Sequence, residues 1–210
     1  MERIDSILAH PIFQEQYELL LEAEKDRIFC RHTMEHFMDV ARLMYIFCLE
    51  AGTPYKKDVV YAAAMLHDIG RYEQMTKGTP HHIAGARIGR EILSDCGFSE
   101  SEILEITDAI LDHRNKKPES RKNAKASIAG RLISEASKSE ALESEKRNAE
   151  TVKTGEKDMD AGEKDTDTGN PGLLKTYLYR ADKMSRSCFS CSACKECNWP
   201  DEKKNMRIQY

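Results

Sequence analysis

His67-Asp68 constrains this chain more than any other feature. The pair closes a helical pattern, Tyr61-Ala62-Ala63-Ala64-Met65-Leu66, and is followed at once by Ile69-Gly70. A neutral imidazole and a carboxylate side by side at a helix end can grip a divalent cation from one short backbone segment. Two donors do not complete a coordination sphere, so a metal reading requires the fold to bring others to that helix end. The candidates are His36, in Glu35-His36-Phe37-Met38-Asp39-Val40-Ala41, and Asp182, in Tyr179-Arg180-Ala181-Asp182-Lys183-Met184-Ser185-Arg186.

The rest of the pattern is helical. Apolar residues recur at helical spacing over 4–8, 11–24, 31–51, 56–68, 82–96, 99–113, 124–136 and 173–187. Ser99 with Glu102 three residues on predicts a capping box. Ala51-Gly52-Thr53-Pro54 stops one helix and starts another, and Gly97 breaks the helix before Phe98. No segment alternates strictly enough for a strand. At 210 residues and 40% hydrophobic, the chain can bury one sizeable core. The expectation is an all-α bundle of short helices whose polar ligands point inward from different helices.

Composition narrows the partners. Charged residues make up 32%, and no apolar run approaches the roughly 18 residues needed to cross a bilayer. The start, Met1-Glu2-Arg3-Ile4-Asp5-Ser6, carries acids where a signal peptide has a basic, then apolar, run. A cytoplasmic protein without a membrane partner is expected, with its seven cysteines reduced and not paired in disulfides. The net charge of −4 is concentrated in 134–170, which holds eleven acidic and six basic residues. The remainder is nearly neutral, which argues against a nucleic-acid surface. That same stretch lacks aromatics and nearly all aliphatics, so it cannot bury enough surface to offset the entropy of ordering it. It reads as a flexible insert over 137–170. Its near-repeat, Gly155-Glu156-Lys157-Asp158 then Gly162-Glu163-Lys164-Asp165, has no apolar seam for a coiled coil. Asp165-Thr166-Asp167-Thr168-Gly169 is a poor EF-hand loop, with glycine one place early and no terminal glutamate.

The order His36, then His67-Asp68-Ile69-Gly70, then Ala181-Asp182-Lys183 resembles the HD-domain superfamily of metal-dependent phosphohydrolases. The resemblance covers roughly 25–190 without the insert, and it implies that His36, His67, Asp68 and Asp182 hold a metal ion. Two further histidines resemble those of the subset that binds two metals: His81, in Pro80-His81-His82-Ile83-Ala84-Gly85-Ala86, and His113, which ends the Ser99 helix. By that resemblance His81 and His113 hold a second ion and Asp68 bridges. His81 is preferred to His82 for its spacing to Gly85-Ala86. His32 lies four residues before His36 on the same predicted helical face and reads as a neighbour of the site or an exposed residue, not a ligand. His10 has no assigned role.

The donor set suits one or two ions of Fe, Mn, Co, Ni or Zn. Such a pair activates water against a phosphoester. Phosphate oxygens also need fixed cations, and Arg71, Arg114 and Lys183 flank the ligands, with Lys116 and Lys117 beyond Arg114.

Cys188, Cys191, Cys194 and Cys197 recur every three residues. Thiolates this dense imply zinc or an iron–sulfur cluster, or else redox-active free thiols. A continuous helix would rotate the four sulfurs apart, so a turn must intervene. Cys30, Cys48 and Cys96 read as ordinary core thiols.

The leading functional reading is a metal-dependent phosphohydrolase acting on a small nucleotide-like substrate. The alternatives are an HD-type di-iron oxygenase and a non-catalytic nucleotide or redox sensor. The expected organisation is a helical extension over 1–24, an HD domain over 25–187 and a cysteine-rich knuckle over 188–210.

Overall fold

The computed structural model describes residues 1–114 and 172–208, which belong to one unit. The expected helix over 124–136, the insert, the EF-hand-like stretch and Lys116 and Lys117 lie outside the described residues. Eight α-helices and no strand occur among the described residues. They are α1 (Glu2–Ala9), α2 (Pro11–Ala23), α3 (Met34–Ala51), α4 (Lys57–Leu66), α5 (Arg71–Lys77), α6 (His81–Asp95), α7 (Glu100–Asp112) and α8 (Leu173–Met184).

The fold is organised around α4. Every residue from Val59 to Leu66 is buried, as expected of a helix apolar on all sides. Its central alanines, Ala62, Ala63 and Ala64, carry almost no side chain, so α1, α3, α6, α7 and α8 can all pack against it. α3 also packs on α8, and α7 on both α6 and α8. The first two helices add Ile4, Ile7, Phe13 and Leu20 to the same core. Arg3 on α1 ties these layers together: its Nε donates to Asp58 of α4 at 2.7 Å and its Nη1 to Glu102 of α7 at 2.7 Å.

Local signals set most boundaries. Ser99 and Glu102 form both halves of the capping box that opens α7. Gly52 closes α3 with φ of 62°, a backbone state that costs glycine nothing.

Two expectations are corrected. α3 begins at Met34, not at position 31. Arg31 donates to the Glu24 carbonyl through Nε at 3.1 Å and Nη2 at 3.0 Å. The His32 backbone N–H donates to the Glu24 carboxylate at 2.8 Å. These bonds hold 24–32 in an irregular return, so His32 and His36 do not share a helical face. Cys30, in that return, is not a core thiol: it is half-buried with φ of 50°. Cys48 is buried and Cys96 half-buried.

α5 was not expected from the sequence, because Arg71–Lys77 buries no residue and so carries no apolar period. Beyond α8 the chain forms short 3-10 turns at Cys188–Ser190 and Asp201–Lys203. No helix among the described residues is long and apolar enough to cross a membrane.

Candidate metal centre

α4 ends at Leu66, and His67-Asp68-Ile69-Gly70 is the turn into α5. A buried helix therefore delivers its last residues into the interior: His67 is 0% and Asp68 1% exposed. Gly70 lets α6 approach this turn. A Cβ at Gly70 would lie 2.4 Å from the Gly85 nitrogen and 2.4 Å from the His81 carbonyl oxygen.

Five imidazoles from five segments surround the Asp68 carboxylate. Toward Oδ2 lie Nε2 of His67 at 3.2 Å, of His32 at 3.4 Å and of His36 at 3.8 Å. Toward Oδ1 lie Nε2 of His81 at 3.3 Å and of His113 at 3.9 Å. Asp182, near the C-terminal end of α8, brings Oδ1 to 3.8 Å from His36 Nε2. Two groups of potential ligand atoms result, each gathered within 4.8 Å: His36, His67, Asp68 and Asp182, and Asp68, His81 and His113. His82, by contrast, keeps its ring 6.5 Å from that of His113, whereas the His81 ring is 5.2 Å away.

Each histidine is oriented by its other nitrogen. His67 Nδ1 donates to the Ala64 carbonyl at 2.7 Å and His113 Nδ1 to the Ile110 carbonyl at 2.6 Å. Both carbonyls lie in the last turn of a helix, where no intrahelical donor remains. His81 Nδ1 is held by Gln74 Oε1 of α5, His36 Nδ1 by the Ser185 hydroxyl at 3.3 Å, and His32 Nδ1 by Glu24 Oε1 at 2.7 Å. Fixing Nδ1 in this way leaves the Nε2 lone pair facing Asp68.

The donor set fits a cation on two observations. His36 Nε2, His67 Nε2 and Asp68 Oδ2 are buried without a hydrogen-bond partner, a concentration of unsatisfied atoms that folded interiors avoid. His81 and His113 face each other through Nε2 at 3.2 Å. With both Nδ1 atoms donating, these are two acceptors in contact unless a cation or proton lies between them.

Protonation favours the cation. Burial pushes His81 down to about 3, helped by the Arg71 charge. Burial also lowers His113 to about 4, helped by the charge on His67. His36 is lowered by burial as well. At His67 burial is outweighed by the Asp68 carboxylate, and its pKa rises. Burial opposes ionisation of Asp68, but the His67 and Arg71 charges hold it well below the ordinary carboxylate range. Asp182 is also lowered, with His67 and Lys183 outweighing burial and the charge of Asp68. The result is ionised carboxylates facing imidazoles of which at least two are neutral.

Arg71 and Lys183 each reach a site carboxylate. Arg71 Nε donates to Asp68 Oδ1 at 2.9 Å, and Lys183 Nζ pairs with Asp182 Oδ2. Arg114 follows His113, is exposed, and lowers the pKa of His81 and His82 through its charge. The four tail cysteines are half-buried. Among the described residues they do not form a third group as tight as the two above.

Sequence reasoning missed the Glu24–His32 pair. Its signal, a histidine four residues before His36, was visible, but a helix assumed over 31–51 turned it away from Glu24. Gln74 was missed with α5.

The HD-domain family model matches residues 33–186. The chain belongs to the HD-domain family. It is 33% identical to an uncharacterized protein of Clostridium beijerinckii over 210 residues, all of both chains. No solved structure matches it. The matched span of the HD domain runs from Thr33, the residue before α3, to Arg186 just past α8. It leaves out His32, Glu24 and the cysteine tail.

Proposed function

We propose that this HD domain is a metal-dependent phosphohydrolase that cleaves a phosphoester or phosphoanhydride of a small nucleotide-like substrate. His36, His67, Asp68 and Asp182 would hold one divalent transition ion, and His81, His113 and Asp68 a second. The observation that carries the reading is the set of unpartnered, buried His36 Nε2, His67 Nε2 and Asp68 Oδ2 atoms turned toward one point.

Ions held there supply Lewis acidity and lower the pKa of water enough to make it a nucleophile near neutral pH. The chain's own residues do the rest. Asp68 faces both groups with different oxygens, which would let one carboxylate serve two ions. The fixed Nδ1 contacts hold the imidazoles in the tautomer that donates Nε2, so little reorganisation is needed when charge arrives. Arg71 and Lys183 stand against the two carboxylates from sites about a third exposed, where their charge can meet phosphate oxygens. Arg114 adds a cation next to His113.

The test is anaerobic purification followed by elemental analysis and a nucleotide and phosphoester panel with Mn, Fe, Co and Zn. We expect up to two ions per chain beyond any bound by cysteines. Hydrolysis should be lost on chelation, restored by one of these metals, and absent in Asp68→Asn. A loaded protein that binds a nucleotide without turnover would replace this reading with a sensor. Iron-dependent oxygen consumption would replace it with an oxygenase.

A further inference from the structure

A groove of about 280 Å³ lies where α3, the end of α8 and the C-terminal tail meet. Much of its lining is apolar. Leu43 and Met184 pack against the core, and Ile46, Phe189 and Ile208 beside them stand 37%, 47% and 74% exposed. The tail wall is fastened in place. Asn205 Nδ2 donates to the carbonyls of Lys183 at 2.7 Å and Arg186 at 2.9 Å, groups that the end of α8 leaves without an intrahelical donor. The Phe189 N–H donates in turn to the Asn205 carbonyl at 3.1 Å, which sets Phe189 at the groove.

Charge in the groove is one-sided. Arg42, Arg186 and Arg207 line it against a single acid, Asp39. Arg42 and Asp39 approach to 3.5 Å with side chains 61% and 50% exposed, a contact worth little in water. Arg207 has no hydrogen-bond or ion-pair partner among the described residues. Arg186 uses Nε on the Lys183 carbonyl at 3.1 Å and one guanidinium face on Trp199 at 4.7 Å. Guanidinium N–H groups left in this way suit the paired oxygens of a phosphate. The groove is not the mouth of the metal centre. Ser185 lines it and meets His36 at Nδ1, 3.3 Å away, whereas His36 Nε2 faces Asp68. The two nitrogens point out of opposite sides of the ring, so the groove lies behind His36, and no residue of either ligand group lines it.

We propose that this groove is a second ligand site, separate from the metal centre, that takes a nucleoside monophosphate: the arginines hold the phosphate and the exposed Phe189 ring stacks on the base. A bare anion would leave Phe189, Ile46 and Ile208 uncovered, and an uncharged base would leave the arginines unanswered. The volume is at the small end of the roughly 300–1,000 Å³ usual for ligand sites, which excludes a dinucleotide. Stacking tolerates any base, so the site selects for phosphate and an aromatic body together. Because Ser185 touches both the groove and His36, the occupant sits one side chain from a metal ligand. The site does not rest on the phosphohydrolase reading.

Trp199, the single tryptophan of the chain, stacks on Arg186 and reports on the groove. The full chain, held metal-free by a chelator, is titrated with adenosine monophosphate (AMP), inorganic phosphate and adenosine by calorimetry and tryptophan fluorescence. AMP should give a saturable change at Trp199 and bind at least about tenfold more tightly than phosphate or adenosine. Arg42 and Arg207 are exposed, so Arg42→Gln and Arg207→Gln should melt with the wild type, and each should weaken AMP about tenfold. Phe189→Ser should reduce AMP to the affinity of inorganic phosphate. Arg71→Ala, which alters the metal centre, should leave AMP binding unchanged. The proposal is overturned by AMP failing to bind, by phosphate or adenosine matching it, by an unaltered affinity in either arginine variant or in Phe189→Ser, or by loss of binding in Arg71→Ala. A ligand-free dimer in sedimentation that Phe189→Ser dissociates would assign the face to a second copy and overturn it as well.

Discussion

Gly70→Ala is the substitution that most directly tests how the fold builds the second half of the centre. The new Cβ would meet the Gly85 nitrogen and the His81 carbonyl oxygen at 2.4 Å and the Ala84 Cβ at 2.8 Å. Two of these are backbone atoms and cannot rotate aside. Ordinary packing begins near 3.4 Å, so the start of α6 must retreat by about 1 Å. His81 is the first residue of α6, and its Nε2 stands only 3.3 Å from Asp68 and 3.2 Å from His113. A displacement of about 1 Å in a positioned group costs about 10²-fold in rate. Overpacking of this kind costs about 1–3 kcal/mol, which for a chain of this size lowers Tm by about 2–4 °C per kcal/mol. Melting the metal-free protein isolates the steric cost. Calorimetric metal titration then reads each site. The expected result is a Tm lower by several degrees, hydrolysis reduced about 10²-fold, and uptake weakened at the ion held by His81 and His113. Uptake at the His36, His67, Asp182 position should be preserved. A Gly70→Ala protein that melts with the wild type and binds both ions normally refutes the reasoning.

Removing the Gln74 amide that orients His81 should weaken the second ion by about 10–100-fold without altering the first; equal weakening of both in a Gln74→Ala titration would count against two distinct positions. Metal-free protein should lose stability on acidification. His81 and His113 stay neutral when folded down to about 3 and 4, while unfolded histidines take up protons below about 6.5. The unfolded state therefore binds more protons in this window, and stability falls as pH drops. The raised pKa of His67 acts the other way only above about 6.5, where the folded ring is protonated ahead of the unfolded one, and the lowered pKa of His36 adds to the loss below it. The net loss should be a few kcal/mol at most by about pH 5, and chemical denaturation giving a flat or opposite trend would refute the assignment. Arg3→Ala removes ion pairs to Asp58 and Glu102 and a stack on Phe98 at 4.0 Å. It should cost about 1–2 kcal/mol, given partial exposure, and leave kcal-scale effects out of hydrolysis, with kcat unchanged in a steady-state assay.

How far the sequence could be read depended on where the information was stored. The all-α class and five of the eight described helices to within two residues were legible because apolar periodicity and caps are local properties. α5 was illegible because its role is polar: it buries nothing and serves through Gln74. The six histidine and aspartate positions stood out by motif order, and the structure gathers them around Asp68. His32 reads in the sequence only as a neighbour of the site or an exposed residue, without its partner. Its place is decided by Glu24, whose carboxylate accepts from both the His32 backbone and ring, a tertiary contact without periodicity. The same contact places the His32 ring beside the centre. Glu24 is buried, yet bonds from His32 hold its pKa below the ordinary value, so it stays charged beside the ring. The carboxylate fixed to Nδ1 orients the ring, and its Nε2 is 3.4 Å from Asp68 Oδ2. The stretch before the matched span therefore contributes a side chain to the gathered group, His32 with its partner Glu24.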